Sequence, residues 1–256
     1  MTTIDSADVP DYTSLLRLDG SRYLVLGAGQ GIGRQSAHAL VANGARVICV
    51  DLDPARVAAV AAELGPAATA WTGDITQAAA VKRLVEHASE RFGTLTGVVD
   101  IVGMAVPRDI AQMTEEIWDQ QFDISLRHVM LIMREALPLM EGVPGASFTF
   151  VSSVSALYGS AHNSAYGAAK AALVSLVRSA AVEFGPLQVR VNAVSPGIIQ
   201  TPLHPAESYQ DLGGRLPPLG RAGQVSDVVD AILFLESSPY ITGEILHVDG
   251  GQTAGH

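Results

Sequence analysis

Seven short runs dominated by apolar residues recur along this chain: SRYLVL from residue 21, RVICVD from 46, ATAWTGDI from 68, LTGVVDIVG from 95, SFTFVSS from 147, QVRVNAVSPG from 188 and EILHVDGG from 244. A strand with no polar face has no side to give to water, so such strands are covered on both faces. Helical stretches separate them, at 33–43, 54–64, 77–92, 114–140 and about 165–184. Buried strands alternating with helices predict an α/β fold, a doubly wound parallel seven-stranded sheet of Rossmann-like type. No linker or internal repeat divides the chain, so it reads as a single domain over 21–256 after a loose lead-in at 1–20. Residues 200–224 are polar and rich in Pro and Gly, which predicts a substrate flap. No helix is assigned between the sixth and seventh runs.

Charge and cysteine usage exclude several function classes. A formal net charge of −10 argues against nucleic acid and anionic membrane as partners. Cys49 is the only cysteine, so there is no internal disulfide and no multi-cysteine zinc site. The seven histidines show no metal-ligand spacing, and no metal is expected. The first residues, MTTIDSADVPDY, are acidic and unlike a secretory signal. No apolar run reaches the ~18 residues of a membrane helix, and a cytoplasmic location is expected.

The first run passes into a turn with glycines at 27, 29, 31 and 33, then into a helix. Glycines there allow a tight turn and close approach of backbone to a pyrophosphate at the helix N-terminus. Asp51 ends the second run, 18 residues after Gly33. A carboxylate there accepts both hydroxyls of an adenosine ribose and repels a 2′-phosphate. The next residues, Leu52, Asp53 and Pro54, supply no cation, so NAD is favoured over NADP. Asp53, before a proline, is read as a helix N-cap.

Tyr166 and Lys170 are four apart at the start of a helix, on one face. A lysine ammonium beside a phenol favours the phenolate and lowers the tyrosine pKa from about 10. Such a tyrosine serves as acid or base towards an alcohol or ketone. Ser153, at the end of the fifth run, is placed to hold the reacting oxygen. The pairing is unlikely by chance, because Lys82 and Lys170 are the only lysines among 16 Lys and Arg.

The spacing Gly27-x3-Gly31-Ile32-Gly33, with Ser153 thirteen residues before Tyr166 and Lys170 four after it, resembles the short-chain dehydrogenase/reductase family. The resemblance runs from about residue 21 to the C-terminus. It takes in Asp74 of GDIT, Asn192 of VRVNAVSPG, then Pro196, Gly197, Ile199 and Thr201, and the late motifs LGRAG and ITGEILHVDGG. It implies reversible hydride transfer between a nicotinamide and a carbinol carbon, in a homotetramer or homodimer. Tyr166 would exchange the proton, Ser153 would hydrogen-bond the oxygen, and Lys170 would bind the ribose. Gln30, Ile32, Leu52, Ile75 and Gly103 join the cofactor set by the same resemblance.

Three departures stand out. Leu26 replaces the usual threonine before the first glycine, and Asp100-Ile101-Val102 replaces Asn-Asn-Ala before Gly103. The family's relay asparagine falls at Ser125, which is expected to hold a relay water. His162 and His204 read as loop histidines, while Met104, Val106, Leu157, Ile199, Leu203 and Leu212 suggest an apolar substrate pocket. A Met and Leu stripe over 119–140 packs on the sheet or on a partner subunit. The expected function is an NAD-dependent oxidoreductase for a secondary alcohol or ketone of apolar character. The alternatives are a catalytically impaired NAD-binding regulatory protein of this fold and a sugar-nucleotide epimerase or dehydratase. The chain after residue 197 is too short for the latter's substrate domain.

Overall fold

The computed structural model describes residue 11, residues 14–202 and residues 216–255. Among the described residues nine strands are formed: β1 (Arg22–Leu26), β2 (Arg46–Asp51), β3 (Ala68–Thr72), β4 (Gly97–Asp100), β5 (Ser147–Val151), β6 (Arg190–Pro196), β7 (Ile199–Gln200), β8 (Gly223–Gln224) and β9 (Ile245–Val248). Seven of them make one all-parallel sheet in the order β3-β2-β1-β4-β5-β6-β9. The burial pattern explains the order. β4, β5 and β6 are buried at every residue, whereas edge strand β3 alternates between covered and open positions. The short β7–β8 pair ties together the two ends of the 200–224 segment. Residues 203–215 of that segment lie outside the described residues, as do Leu203, His204 and Leu212.

Seven helices cover the sheet: α1 (Gly31–Ala42), α2 (Pro54–Leu64), α3 (Ala78–Phe92), α4 (Glu115–Phe122), α5 (His128–Ala136), α6 (Ser164–Phe184) and α7 (Val225–Glu236). Successive strand residues point to opposite faces. Leu24, Ile48, Phe148 and Phe150 therefore meet Leu84, Ile132, Leu173 and Val177 of α3, α5 and α6. Tyr23, Val25, Cys49 and Val194 meet Leu40, Val57, Val228 and Ile232 of α1, α2 and α7. The chain order reverses between β1 and β4, which opens a crevice at the C-terminal strand ends.

Two elements differ from the expectation. The helix expected over 114–140 is broken by a π turn at Asp123–Arg127 and closes in a 3-10 turn at Leu137–Leu139. Single π turns interrupt helices mostly at functional sites. Helix α7 was not expected, although Val225, Val228, Val229, Ile232 and Leu235 are buried at helical spacing. Asp227 caps it through the Gln224 backbone N–H at 2.7 Å. The 119–140 stripe packs on the sheet through Val129, Leu131, Ile132 and Met133, leaving Met130 exposed.

The N-terminal strand ends carry a buried polar group. Glu236 accepts hydrogen bonds from Tyr23 Oη at 3.0 Å and from Ser147 Oγ, while Arg190 donates to the Leu235 and Glu236 carbonyls at 2.7 and 3.2 Å. Burial pushes the Glu236 carboxyl above its ordinary value of 4.5, against the pull of Arg190, Ser147 and Tyr23. A raised folded-state pKa means that the native state holds the proton more tightly. This contribution to stability is full below the ordinary value and is lost as pH rises through the raised one. Relative to Glu236→Gln, the wild-type protein is expected to lose stability above pH 4.5, by up to about 1.4 kcal/mol per pH unit. Urea unfolding across a pH series measures that difference.

Candidate active site

Leu26 and Gly27 turn the chain from β1 into α1. Gly27 has φ +79°, in the region that L side chains avoid, and the Gly27 and Ala28 N–H groups both donate to the Val50 carbonyl at 2.9 Å. A Cβ at Gly33 would lie 2.0 Å from the Gly27 carbonyl oxygen, so the helix reaches the turn only with glycine there. Gln30 caps α1 without a side-chain hydrogen bond, leaving the first backbone N–H groups available to an anion. Asp51 is held from two sides, its Oδ2 accepting from Gly29 N at 2.8 Å and its Oδ1 from Asp53 N at 3.0 Å. Asp53 caps α2 through Ala55 N and Arg56 N at 2.9 and 3.1 Å, the role its sequence context suggests.

A cavity of about 1470 Å³ runs from this turn across the C-terminal strand ends. Gly27, Gln30, Gly31, Ile32, Asp51, Leu52, Asp74 and Ile75 line one part of it. Gly103, Ser153, Tyr166, Lys170, Pro196, Gly197, Ile199 and Thr201 line the rest. Gly29 and Gly33 do not line it; they act behind the wall, against Asp51 and the Gly27 carbonyl. The fit to a dinucleotide rests on that glycine turn, which a Cβ at Gly33 would push out of shape from behind, and on the fixed Asp51 carboxylate. Arg56, overlooked in the sequence because it lies beyond the 52–54 tripeptide, also lines the cavity, with its Nε 3.2 Å from Asp53.

Strand β5 ends at Val151 and delivers Ser153, which caps a 3-10 turn through Ser155 N at 3.1 Å. The Ser153 hydroxyl lies near enough to the Tyr166 phenol to act on its ionisation. Lys170 is one helical turn further along α6, its Nζ 5.8 Å from the centre of the tyrosine ring and donating to the Val151 carbonyl at 2.8 Å. Burial raises the Tyr166 phenol above 10.0, with Ser153 pulling the other way. The sequence suggested a lowered value. The difference has a physical cause: Lys170 is itself buried, pushed down to about 8, and aims its ammonium at a backbone carbonyl. Asp100 acts to raise it again.

Ser125 does not reach the cavity wall. It is fully buried on the π turn, and its Oγ accepts from Gln121 Nε2 at 2.8 Å. Gln121, also fully buried, holds the 104–106 segment through Met104 O at 2.7 Å and Val106 N at 2.9 Å. Nothing in the sequence reading pointed to Gln121, or to His128, whose Nε2 lies 3.0 Å from Asp100 Oδ2. That approach is close but is not an aligned hydrogen bond.

Of the apolar pocket candidates, Met104 and Ile199 line the cavity, whereas Val106 and the half-exposed Leu157 do not. The wall there is completed by Ser155, Tyr158, Asn163, Ile198, the Leu216–Pro218 segment and Gln252. Gln252 hydrogen-bonds Tyr158 Oη. These side chains carry no sequence signal, because loops distant in the chain bring them together. His162 is exposed, with φ +66° and its Nδ1 2.5 Å from Asp109. Asn192 is buried in β6 and spans to Ile241 O and Glu244 N at 2.9 and 3.0 Å, away from the cavity. Among the described residues, no group of three or more His, Cys, Asp or Glu is arranged for a metal ion. No helix among them is long and apolar enough to cross a membrane.

Known proteins place this architecture. The sequence profile described as enoyl-(acyl carrier protein) reductase matches residues 27–253. A cis-4-hydroxycyclohexanecarboxylate dehydrogenase of Sinomonas cyclohexanicum is 35% identical over 239 residues, covering 90% of this chain and 96% of that one. The 3-oxoacyl-[acyl-carrier-protein] reductase of Thermotoga maritima is 31% identical over 244 residues, 92% of this chain and 99% of its own. A short-chain dehydrogenase/reductase from Mycobacterium ulcerans superposes with a TM-score of 0.87 at 34% identity, over 93% of this chain and 91% of that one. With strand order, glycine turn and serine–tyrosine–lysine cluster in agreement, the chain belongs to the short-chain dehydrogenase/reductase family, whose members are oxidoreductases that use a nicotinamide cofactor.

Proposed function

We propose that this protein is an NAD-dependent oxidoreductase that interconverts a secondary alcohol and its ketone, with a substrate of largely apolar character. The observation that carries the reading is the convergence of Ser153, Tyr166 and Lys170 on one wall of a cavity also lined by the Asp51 carboxylate and the glycine turn. Gly27, Gln30, Gly31, Asp51 and Lys170 would hold a nicotinamide dinucleotide in that cavity, which would supply the hydride acceptor for oxidation and the donor for reduction. Tyr166 Oη takes the proton of the substrate hydroxyl in oxidation and returns it in reduction. Ser153 Oγ holds the substrate oxygen, and Lys170 binds the ribose and stabilises the phenolate once charged. Gln121, held by Ser125, braces the 104–106 segment behind Met104 rather than touching the reacting atoms. Candidate substrates are cyclic or terpenoid alcohols, hydroxysteroids and 3-hydroxyacyl compounds. A relative named for a ring alcohol and another named for an oxoacyl group support both ends of that range. Exposed Trp118, Met130 and Val182 support a homotetramer or homodimer.

The test is a panel of secondary alcohols with NAD, and of ketones with NADH, followed by NADH absorbance. Binding of NAD with no turnover of any member would favour a nucleotide-binding regulatory role instead. The cofactor preference rests on Asp51. Asp51→Ala is expected to raise NADP use relative to NAD by about tenfold or more, since like-charge contact costs several kcal/mol. Overall affinity should fall with it, because Gly29 N and Asp53 N lose their acceptor. A parent protein that already prefers NADP would overturn the NAD assignment, and Arg56 would be the cation to examine.

A further inference from the structure

The sequence places an aspartate, Asp100, where the family resemblance has an asparagine, and the structure buries it with a histidine. Asp100 and His128 have side chains 1% and 0% exposed, and their Oδ2 and Nε2 are 3.0 Å apart. Asp100 Oδ1 accepts from Val102 N at 2.9 Å. The other imidazole nitrogen, Nδ1, faces the Asp123 carbonyl at 3.4 Å. Neither Asp100 Oδ2 nor His128 Nε2 has an aligned hydrogen-bond partner, so each of these buried polar atoms has the other as its near neighbour.

Asp100 is close enough to the Lys170 ammonium to favour its charged form. Lys170 Nζ is bonded to Val151 O at the end of β5, and Asp100 is in register with Phe150, the preceding residue of that strand. Neighbouring strands are about 4.8 Å apart, so Asp100 and the carbonyl that holds Nζ stand at successive positions of adjacent strands. Gly103 leaves room for the ammonium, since a Cβ there would stand 2.8 Å from Nζ. The other charged groups around the site do not compete. Asp123 is half-exposed and paired with Arg127 at 3.3 Å, Leu26 and Phe150 flank Asp100 on β1 and β5, and Lys82 and Glu86 of α3 face solvent. Arg190 and Glu236 are at the opposite strand ends, and Tyr166 is the remaining ionisable group facing Lys170.

We propose that Asp100, held by His128, is a positioning residue that acts as the buried counter-ion of the Lys170 ammonium. Asparagine cannot supply that charge. The π turn at Asp123–Arg127 is what brings His128 inward, at the first residue of α5. His128 restrains the carboxylate, so that it holds the lysine in its charged form without drawing the ammonium away from the tyrosine. The catalytic consequence rests on the reading of Lys170 as the partner of Tyr166; the charge relationship does not.

The test uses the lysine count. With only Lys82 and Lys170 in the chain, protein labelled at lysine Cε gives two side-chain NMR signals, assigned by Lys82→Arg. The Lys170 titration midpoint can then be read without substrate. Asp100→Asn is expected to lower it by about one pH unit or more, the usual effect of losing a close opposite charge. His128→Gln, which leaves Asp100 unshared, is expected to raise it. Opposite shifts are not produced by loosened packing. Midpoints that stay within a few tenths of wild type, or that move the same way in both variants, overturn the proposal. Should Asp100→Asn fail to fold, the direction in His128→Gln decides alone. An inactive enzyme with these opposite shifts would reject the oxidoreductase reading and keep the counter-ion.

Discussion

Tyr166→Phe is expected to lower kcat by about 10²- to 10⁴-fold, the usual contribution of a positioned acid–base group. The ring and its packing on α6 remain, and the substitution removes one hydroxyl that faces Ser153. The expected stability loss is at most the roughly 0.5–1.5 kcal/mol of a single hydrogen bond. NADH affinity, measured by fluorescence titration, should therefore change little while turnover collapses. The pH dependence has a definite sign. Burial holds the wild-type phenol in its protonated form, so alcohol oxidation, which needs the phenolate, should accelerate as pH rises. Ketone reduction, which needs the phenol, should slow. A variant that retains more than about a tenth of the wild-type rate lies outside the range for such a group and would remove Tyr166 from the mechanism.

Gly33→Ala has the second large expected effect. Its Cβ would stand 2.0 Å from Gly27 O, 2.7 Å from Gly27 C and 3.1 Å from Ala28 Cα. All three are backbone atoms, so no side chain can swing aside, and either α1 withdraws or the turn opens. Overpacking of this kind costs about 1–3 kcal/mol, which for a chain of this size lowers Tm by about 2–12 °C. The same displacement spoils the phosphate cradle, and NADH affinity is expected to fall by about tenfold or more, a loss of at least ~1.4 kcal/mol. Gly185→Ala is the control: it has φ −51° and nothing within 4 Å of its added Cβ, and should bind NADH as wild type does. Equal behaviour of the two variants would show that the close approach at Gly33 is not required.

The sheet was legible because burial writes itself into composition. β4, β5 and β6 are covered on both faces, so most of their residues are apolar. The break in the long helix was not legible. DISLR continues the helical periodicity, and the choice of a π turn depends on what Ser125 and His128 meet inside. Helix α7 carried its own pattern in Val225, Val228, Val229 and Ile232 and was passed over beside the Pro- and Gly-rich 200–224 segment. Arg56 was missed for a geometric reason, since one turn of α2 folds it back over the cavity mouth.

By itself the sequence determined the parallel α/β architecture, the glycine turn, the acid after β2 and the serine, tyrosine and lysine on the β5–α6 unit. All of these follow from local spacing, which a backbone of fixed rise and period converts into position. The tertiary structure alone decided which charge stands behind Lys170, that the tyrosine is raised rather than lowered, and which loops close the substrate end. Those properties arise from contacts between β4 and α5, between α6 and β5, and between residues 158 and 252. Their energies depend on desolvation and on distances of a few ångströms, which no spacing along the chain encodes.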